Sequence, residues 1–147
     1  MYSYNIKKIN LREIRSDFIE FFPYILKDKS FEKIIKEYQY IAYAENKLGK
    51  VVSCVLFKEY LEFPKVWQLG RISTNKKYFK KGIASYLLLK IIDFIKNKKG
   101  VKILVYVSEE NKVAQSFYLK NKFKKEAKID KMKLGREPLF IFTREVF

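Results

Sequence analysis

Two short stretches hold residue types whose spacing suits chemistry. The first is KKYFKKGIA, Lys76 to Ala84, where four lysines surround Gly82 and an apolar run follows. A helix beginning there offers unpaired backbone N–H groups and a partial positive charge. Gly82 lets a ligand approach the backbone closely, and Lys76, Lys77, Lys80 and Lys81 add charge. That combination suits a pyrophosphate. On these residues alone a solvated charged turn before a core helix is an equal alternative. Neither GxxxxGKS/T nor a GxGxxG after a strand is present, so a nucleoside triphosphatase loop is unsupported.

The second stretch is NKVAQSFYLKNKF, Asn111 to Phe123. Asn111, Ala114 and Tyr118 recur at i, i+3 and i+7, which places them on one stripe of a helix. An amide that bonds a ligand, a small residue that leaves room and a phenol that delivers a proton suit a narrow polar groove. On this spacing alone, an ordinary amphipathic helix with Tyr118 at the core margin is the preferred reading.

These stretches need elements to hold them. Tyr2–Ile9 reads as a first strand, and apolar spacing from Leu11 to Lys27 reads as a helix that Pro23 interrupts. Ser30 caps a second helix over Phe31–Tyr38. Tyr40–Glu45 and Val51–Tyr60 form a hairpin across the Gly49 turn. Val66–Thr74 is a strand in which Gly70 marks a bulge. Ile83–Asn97 is the clearest helix, with one broad apolar arc, and Gly100 ends it. Val101–Val107 reads as a buried strand, so a strand–helix–strand unit gives a parallel pair with a crossover. A last helix spans about Ser108 to Asn121. Phe123–Ile129 and Pro138–Phe147 are final strands joined by Lys131–Glu137. The expected fold is one α/β domain over residues 1–147: a mostly antiparallel mixed sheet of six or seven strands, a central parallel pair, and helices on both faces.

Composition restricts the chemistry. The chain has 147 residues, one cysteine and no histidine. An internal disulfide is excluded, as is any Ser–His–Asp or Cys–His pair within the chain. Zinc sites lean on Cys and His, so no metal is expected. Proton transfer falls to Tyr, Asp, Glu, Lys or water. The absence of an apolar leader or a long apolar run makes a cytoplasmic protein without membrane contact the expectation. The formal charge of +16 favours anionic partners, but only five of the 32 basic residues are Arg. Such a lysine excess also fits general surface solvation.

The two stretches, in this order and about 30 residues apart, resemble the GNAT superfamily of N-acetyltransferases, and the element order over nearly the whole chain fits. The family's pyrophosphate loop, Q/R-x-x-G-x-G/A, aligns with Phe79, Lys80, Lys81, Gly82, Ile83 and Ala84; Phe79 stands where Gln or Arg is usual. The later motif, N-x-x-A-x-x-[FL]-Y-x-x-x-G-F, matches Asn111, Ala114, Phe117, Tyr118 and Phe123, with Lys122 in place of Gly. The resemblance implies acetyl-CoA as co-substrate, lying between the strand that ends at Thr74 and the strand Val101–Val107. It implies that the backbone of Ile72, Ser73 and Thr74 pairs with the pantetheine arm and that Phe79 to Ala84 hold the pyrophosphate. Asn111 would touch the pantetheine region, and Tyr118 would protonate the departing thiolate.

The reaction implied is direct attack of a primary amine on the thioester, with a backbone N–H near Ile72 to Thr74 stabilising the oxyanion. A lysine-like amine with a pKa of about 10.4 is neutral in about one molecule in 2,500 at pH 7, a cost of about 4.6 kcal/mol. Neither Val66–Thr74 nor Val101–Val107 contains an acid to serve as base. Glu59, Glu62, Tyr106 or water remain, and Cys54 reads as a core residue. The acceptor is a small-molecule amine or a protein or peptide amino group. Aminoacyl-tRNA is the alternative acceptor, and a non-catalytic acetyl-CoA- or nucleic-acid-binding module the alternative function. A monomer and a homodimer fit equally.

Overall fold

The computed structural model describes residues 1–10, 21, 37–130 and 138–147. The helices expected over Leu11–Lys27 and Phe31–Tyr38, and the loop Lys131–Glu137, lie outside or mostly outside these residues.

Seven strands form one mixed sheet: β1 (Ser3–Lys8), β2 (Tyr40–Glu45), β3 (Val51–Glu59), β4 (Val66–Thr74), β5 (Lys102–Ser108), β6 (Lys124–Ile129) and β7 (Leu139–Glu145). Their spatial order is β1-β2-β3-β4-β5-β7-β6. All neighbours are antiparallel except β4 and β5. That parallel pair flanks α1 (Ile83–Asn97), the crossover a parallel connection requires. A second helix, α2 (Lys112–Lys120), follows β5.

The β2–β3 turn is tied by one side chain. Asn46 Oδ1 accepts from the N–H of Leu48 at 2.9 Å and of Lys50 at 3.0 Å. Gly49 takes φ +75°, which completes the reversal.

The helix α1 buries Ile83, Leu87, Leu88, Ile91, Ile92 and Ile95 on one face. Each such side chain removed from water contributes about 1.5–3 kcal/mol before ordering costs. All but Ile83 pack on Val55, Phe57, Trp67, Leu69, Ile103 and Val105; Ile83 packs with Ala44 and Val52. Phe123, Phe140, Phe142 and Tyr118 extend this core under α2, so both described helices cover the same face. Phe21, Ile41, Tyr43, Val51, Cys54 and Leu56 form a second cluster.

Two expectations change. Val101–Val107 is not buried throughout: only Ile103, Val105 and Val107 are, and Tyr106 is 41% exposed on the other face. Gly100 does not supply the left-handed residue that ends α1. Lys99 does, at φ +65°. Gly100 is required by packing, because a Cβ there would strike the Ile95 side chain and stand 2.8 Å from Trp67 Nε1.

Candidate active site

The parallel strands part soon after they meet. β4 and β5 pair only through Val66–Lys102, Trp67–Ile103 and Gln68–Leu104. Above that level β4 stays with β3 up to Thr74–Ser53, and β5 stays with β7 up to Ser108–Leu139. A wedge therefore opens between Leu69–Thr74 and Val105–Ser108. Its cause lies in β4, where the register against β3 shifts between Val55 and Phe57, opposite Gly70. The bulge adds twist and carries the strand away from β5. A side chain on Gly70 would meet the Leu56 carbonyl at 3.0 Å and the Tyr38 ring at 3.1 Å.

The register decides which backbone groups face the wedge. Asn75 N–H donates to the Val52 carbonyl at 2.9 Å. Hydrogen-bonded pairs alternate along an antiparallel ladder, so Ser73 faces Cys54, whereas Ile72 and Thr74 turn their N–H and C=O groups into the wedge. Ser73 thus differs from the expectation that all three residues present backbone to a ligand. Ser53 braces the strand tip: its hydroxyl donates to the Ser73 carbonyl at 3.1 Å and lies 2.9 Å from Thr74 Oγ1.

The lysine loop ends at the N-terminus of α1. Lys76–Tyr78 form one 3-10 turn capped by Asn75, whose Oδ1 accepts from the Lys77 N–H. Lys80 and Gly82 have φ +60° and +76°, and Lys81 between them does not. Such alternation turns successive N–H groups towards one concavity. The first helical bond is Tyr86 N–H to the Gly82 carbonyl. The N–H groups of Gly82, Ile83, Ala84 and Ser85 have no partner among the described residues. The first turn has no acidic residue, and a Cβ on Gly82 would meet nothing within 4 Å. The cradle is open, basic and unfilled by the protein itself. Lys81 Nζ stands 5.5 Å from the Tyr78 ring centroid, and Phe79 is 54% exposed at the rim.

Asn111 is not within the helical stripe. It is the N-cap of α2, and its Oδ1 accepts from the Ala114 N–H at 3.0 Å. Capping uses the carbonyl oxygen, so the side-chain NH2 is the group left to meet a ligand. Asn111 is a cap because the chain leaves β5 through a turn over Glu109 and Glu110; the helix begins four residues later than expected. Ala114, Phe117 and Ile72 pack against the core that contains Tyr118. Tyr118 is buried among the rings of Phe117, Phe123 and Phe142. Burial pushes its phenol well above the ordinary tyrosine value.

Lys122 takes φ +66° where the sequence pattern lacks glycine. The Phe123 N–H returns to the Tyr118 carbonyl and the Lys122 N–H to the Leu119 carbonyl, a Schellman closure. The same corner holds a contact that spacing did not reveal. Asn121 Nδ2 donates to Ser85 Oγ at 3.2 Å and to the Phe117 carbonyl at 2.8 Å. Arg144 donates to the Asn121 carbonyl at 2.8 Å. This latch joins the first turn of α1 to the end of α2, so the two motifs meet in space.

The three side-chain bases considered from sequence differ in availability. Glu59 Oε1 accepts from the Lys65 N–H at 3.1 Å, which commits it to the β3–β4 loop. Glu62 is exposed. Tyr106 is exposed and lies close to Tyr60. Cys54 is buried in the core, as is Trp67. Phe21 belongs to the second core cluster.

The pattern of the family described as "Acetyltransferase (GNAT) family" matches residues 11–123. No curated protein matches the chain. Among solved structures, the chain is similar to an acetyltransferase of the GNAT family from Staphylococcus aureus, at 21% identity over 99% of this chain and 100% of that one, TM-score 0.72. It is similar to a ribosomal-protein alanine N-acetyltransferase from Escherichia coli, at 16% identity over 98% and 94%, TM-score 0.71. It is also similar to Ard1 from Thermoplasma volcanium, at 14% identity over 98% of each chain, TM-score 0.75. At these identities the likeness is one of fold.

Proposed function

The chain belongs to the GNAT family of acetyltransferases, and from that premise we propose that it moves an acetyl group from acetyl-CoA to a primary amine by direct attack. The observation that carries the reading is the wedge between β4 and β5, with an open cradle of unpartnered N–H groups at the start of α1. Residues Phe79 to Ala84 surround the pyrophosphate. The N–H groups of Gly82, Ile83 and Ala84 donate to it, and Lys80 and Lys81 supply charge in place of the side chain that Phe79 lacks. Ile72 and Thr74 lie two residues apart, about 6.6 Å along a strand. Their backbone groups bond the amides of the pantetheine arm, as an added strand would. The Asn111 amide donates to the same arm from the other wall, and Ala114 and Phe117 border it.

In the reaction the amine nitrogen forms a bond to the thioester carbon while the C–S bond breaks. A wedge-facing N–H of β4 stabilises the oxyanion. The amine loses one proton to water or a base, and the sulfur receives one from Tyr118. Burial keeps the Tyr118 proton in place at neutral pH. A thiolate formed beside it suffers the same desolvation, which raises its own proton affinity and keeps the transfer feasible.

Calorimetric titration with acetyl-CoA at physiological salt, with CoA and ATP as comparators, tests the reading. Micromolar binding of acetyl-CoA, much weaker binding of ATP, and loss of binding in Gly82→Glu are expected. Absence of binding by both acetyl-CoA and CoA would overturn it and turn attention to RNA binding as a function of salt.

A further inference from the structure

The wedge opens on two faces, and the two described helices cover only one of them. Lys58 pairs with Gln68 across the sheet, and Gln68 pairs with Leu104. Their neighbours Trp67, Leu69, Ile103 and Val105 point into the helix-side core. By strand alternation Lys58, Gln68, Leu104 and Tyr106 point the other way. Tyr106 stands two residues beyond the last β4–β5 pair, at the mouth of the wedge. Tyr38 packs on the second core cluster and reaches the Gly70 backbone across the mouth. Tyr60 lies on this face close to Tyr106, and the Lys58 ammonium sits against its ring.

Lys58 sits among these phenols. Its Nζ lies 5.8 Å from the Tyr38 ring centroid and 5.6 Å from that of Tyr60. The side chain is half-buried, and among the described residues it pairs with no carboxylate. The ring faces compensate part of a desolvated ammonium, but leave its charge without a counterion among the described residues. The Tyr38, Tyr60 and Tyr106 hydroxyls each carry one O–H donor. Burial and the Tyr106 contact keep the Tyr60 phenol neutral, hence a donor. Glu62 is the opposing charge near Tyr60; Glu59 is held by the Lys65 N–H.

A ligand that enters from the helix side leaves the opposite face of the thioester for the nucleophile. A cation arriving there would meet Lys58, and a neutral acceptor would leave Lys58 uncompensated. We propose that this face takes an acceptor whose primary amine is joined, through a few bonds, to an anionic group, carboxylate or phosphate, bound by Lys58 Nζ and the hydroxyls around it. The inference rests on the acetyltransferase reading and deepens it by naming the acceptor class.

The test uses CoA joined through a thioether-linked acetamide to four amines: propylamine, β-alanine, O-phosphoethanolamine and ethylenediamine. Each conjugate is titrated by calorimetry against the full chain, with acetyl-CoA alongside. The β-alanine or phosphoethanolamine conjugate should bind about tenfold tighter than the propylamine conjugate, the gain of one good charge-assisted contact. The anion with the larger gain identifies the source. Lys58→Met keeps the aliphatic stem and should erase the gain with acetyl-CoA affinity unchanged. Tyr106→Phe should reduce the gain about threefold, and Glu62→Gln should increase it about twofold, on the scale of single exposed charge and hydrogen-bond contacts. Equal affinity for all four conjugates, tightest binding of the ethylenediamine conjugate, or a gain that survives Lys58→Met would each overturn the inference while leaving the enzyme reading intact. Failure of acetyl-CoA itself to bind would overturn both.

Discussion

Tyr118 shows how burial sets what one proton can do. Its phenol lies among Phe117, Phe123 and Phe142, and desolvation raises its pKa above the ordinary 10.0. The neutral form therefore persists through the physiological range, which suits the residue to the proposed role of acid. Tyr118→Phe should lower turnover about 10²-fold or more and leave acetyl-CoA affinity within about twofold, the pattern of a proton donor used only in the transition state. Steady-state kinetics paired with calorimetry reads both. The rate with a lysine-like amine should rise with pH as the amine deprotonates and should not fall through Tyr118 below about pH 10. A fall below that pH that disappears in Tyr118→Phe would contradict the assignment. The stability linkage has the matching sign. Below the unfolded pKa both states hold the proton and nothing is lost. As pH rises past about 10 the unfolded chain releases it first, so stability declines towards the folded pKa.

Lys122 is a second residue-scale case. A non-glycine residue at φ +66° costs about 1–2 kcal/mol. Lys122→Gly removes that strain and adds unfolded-state freedom of about 0.4–1 kcal/mol. The net expectation is a gain of about 0.5–1 kcal/mol in urea denaturation. A loss of stability would mean that the lysine side chain contributes more than its backbone costs.

At the scale of elements, the Asn121 latch ties α1 to α2, and so the cradle at the start of α1 to Tyr118. Asn121→Ala removes the side-chain bonds to Ser85 and to the Phe117 carbonyl. It should cost about 1–2 kcal/mol. Turnover should fall about tenfold through misplacement, because small shifts near the chemistry are expensive. Ser85→Ala, which breaks only the interhelical bond, should show a smaller loss in the same direction. Unchanged turnover in both variants would reduce the latch to a stability device. Gly100 illustrates the packing that fixes the closed end of the wedge. Gly100→Ala forces a Cβ against Ile95 and Trp67 and should destabilise by about 1–3 kcal/mol, read as a lowered urea midpoint.

For the whole molecule the question is whether the charge of +16 is organised. Lys80 and Lys81 stand beside unpartnered N–H groups at the positive end of a helix. Lys124 and Lys125 are exposed on the edge strand β6, where charge protects an open edge from pairing. Replacing Lys80 and Lys81 together by Ala should weaken acetyl-CoA binding about tenfold and flatten its dependence on salt, since exposed charges act mainly within a Debye length of about 8–10 Å. Replacing Lys124 and Lys125 should do neither. Equal effects of the two pairs would mean that the net charge, rather than the cradle, draws the ligand.

Local patterns carried much of this protein. The apolar arc of Ile83–Asn97 has the helical period and no competing strand alternation, so the observed helix has the bounds read from it. The strand Val66–Thr74 and its bulge at Gly70 were legible because a glycine inside a β-branched run has few other uses. The cradle was legible because Gly82 and its lysines are contiguous. What spacing could not reveal depends on which chain segments become neighbours. Asn111 and Tyr118 share a heptad interval whether or not the helix includes the first of them, and only the turn after β5 made Asn111 a cap. Ser73 lies between two residues whose backbone faces the wedge, but the phase of the β3–β4 ladder turns its own away. Ser85 and Asn121 are 36 residues apart, and no local preference couples them. The wall of Tyr38, Lys58, Tyr60 and Tyr106 comes from three separate places in the chain, gathered by sheet order. Side-chain period and turn chemistry act over a few residues and are written in sequence; register, wedge and cross-element contacts arise when the core closes, and only the tertiary structure decided them.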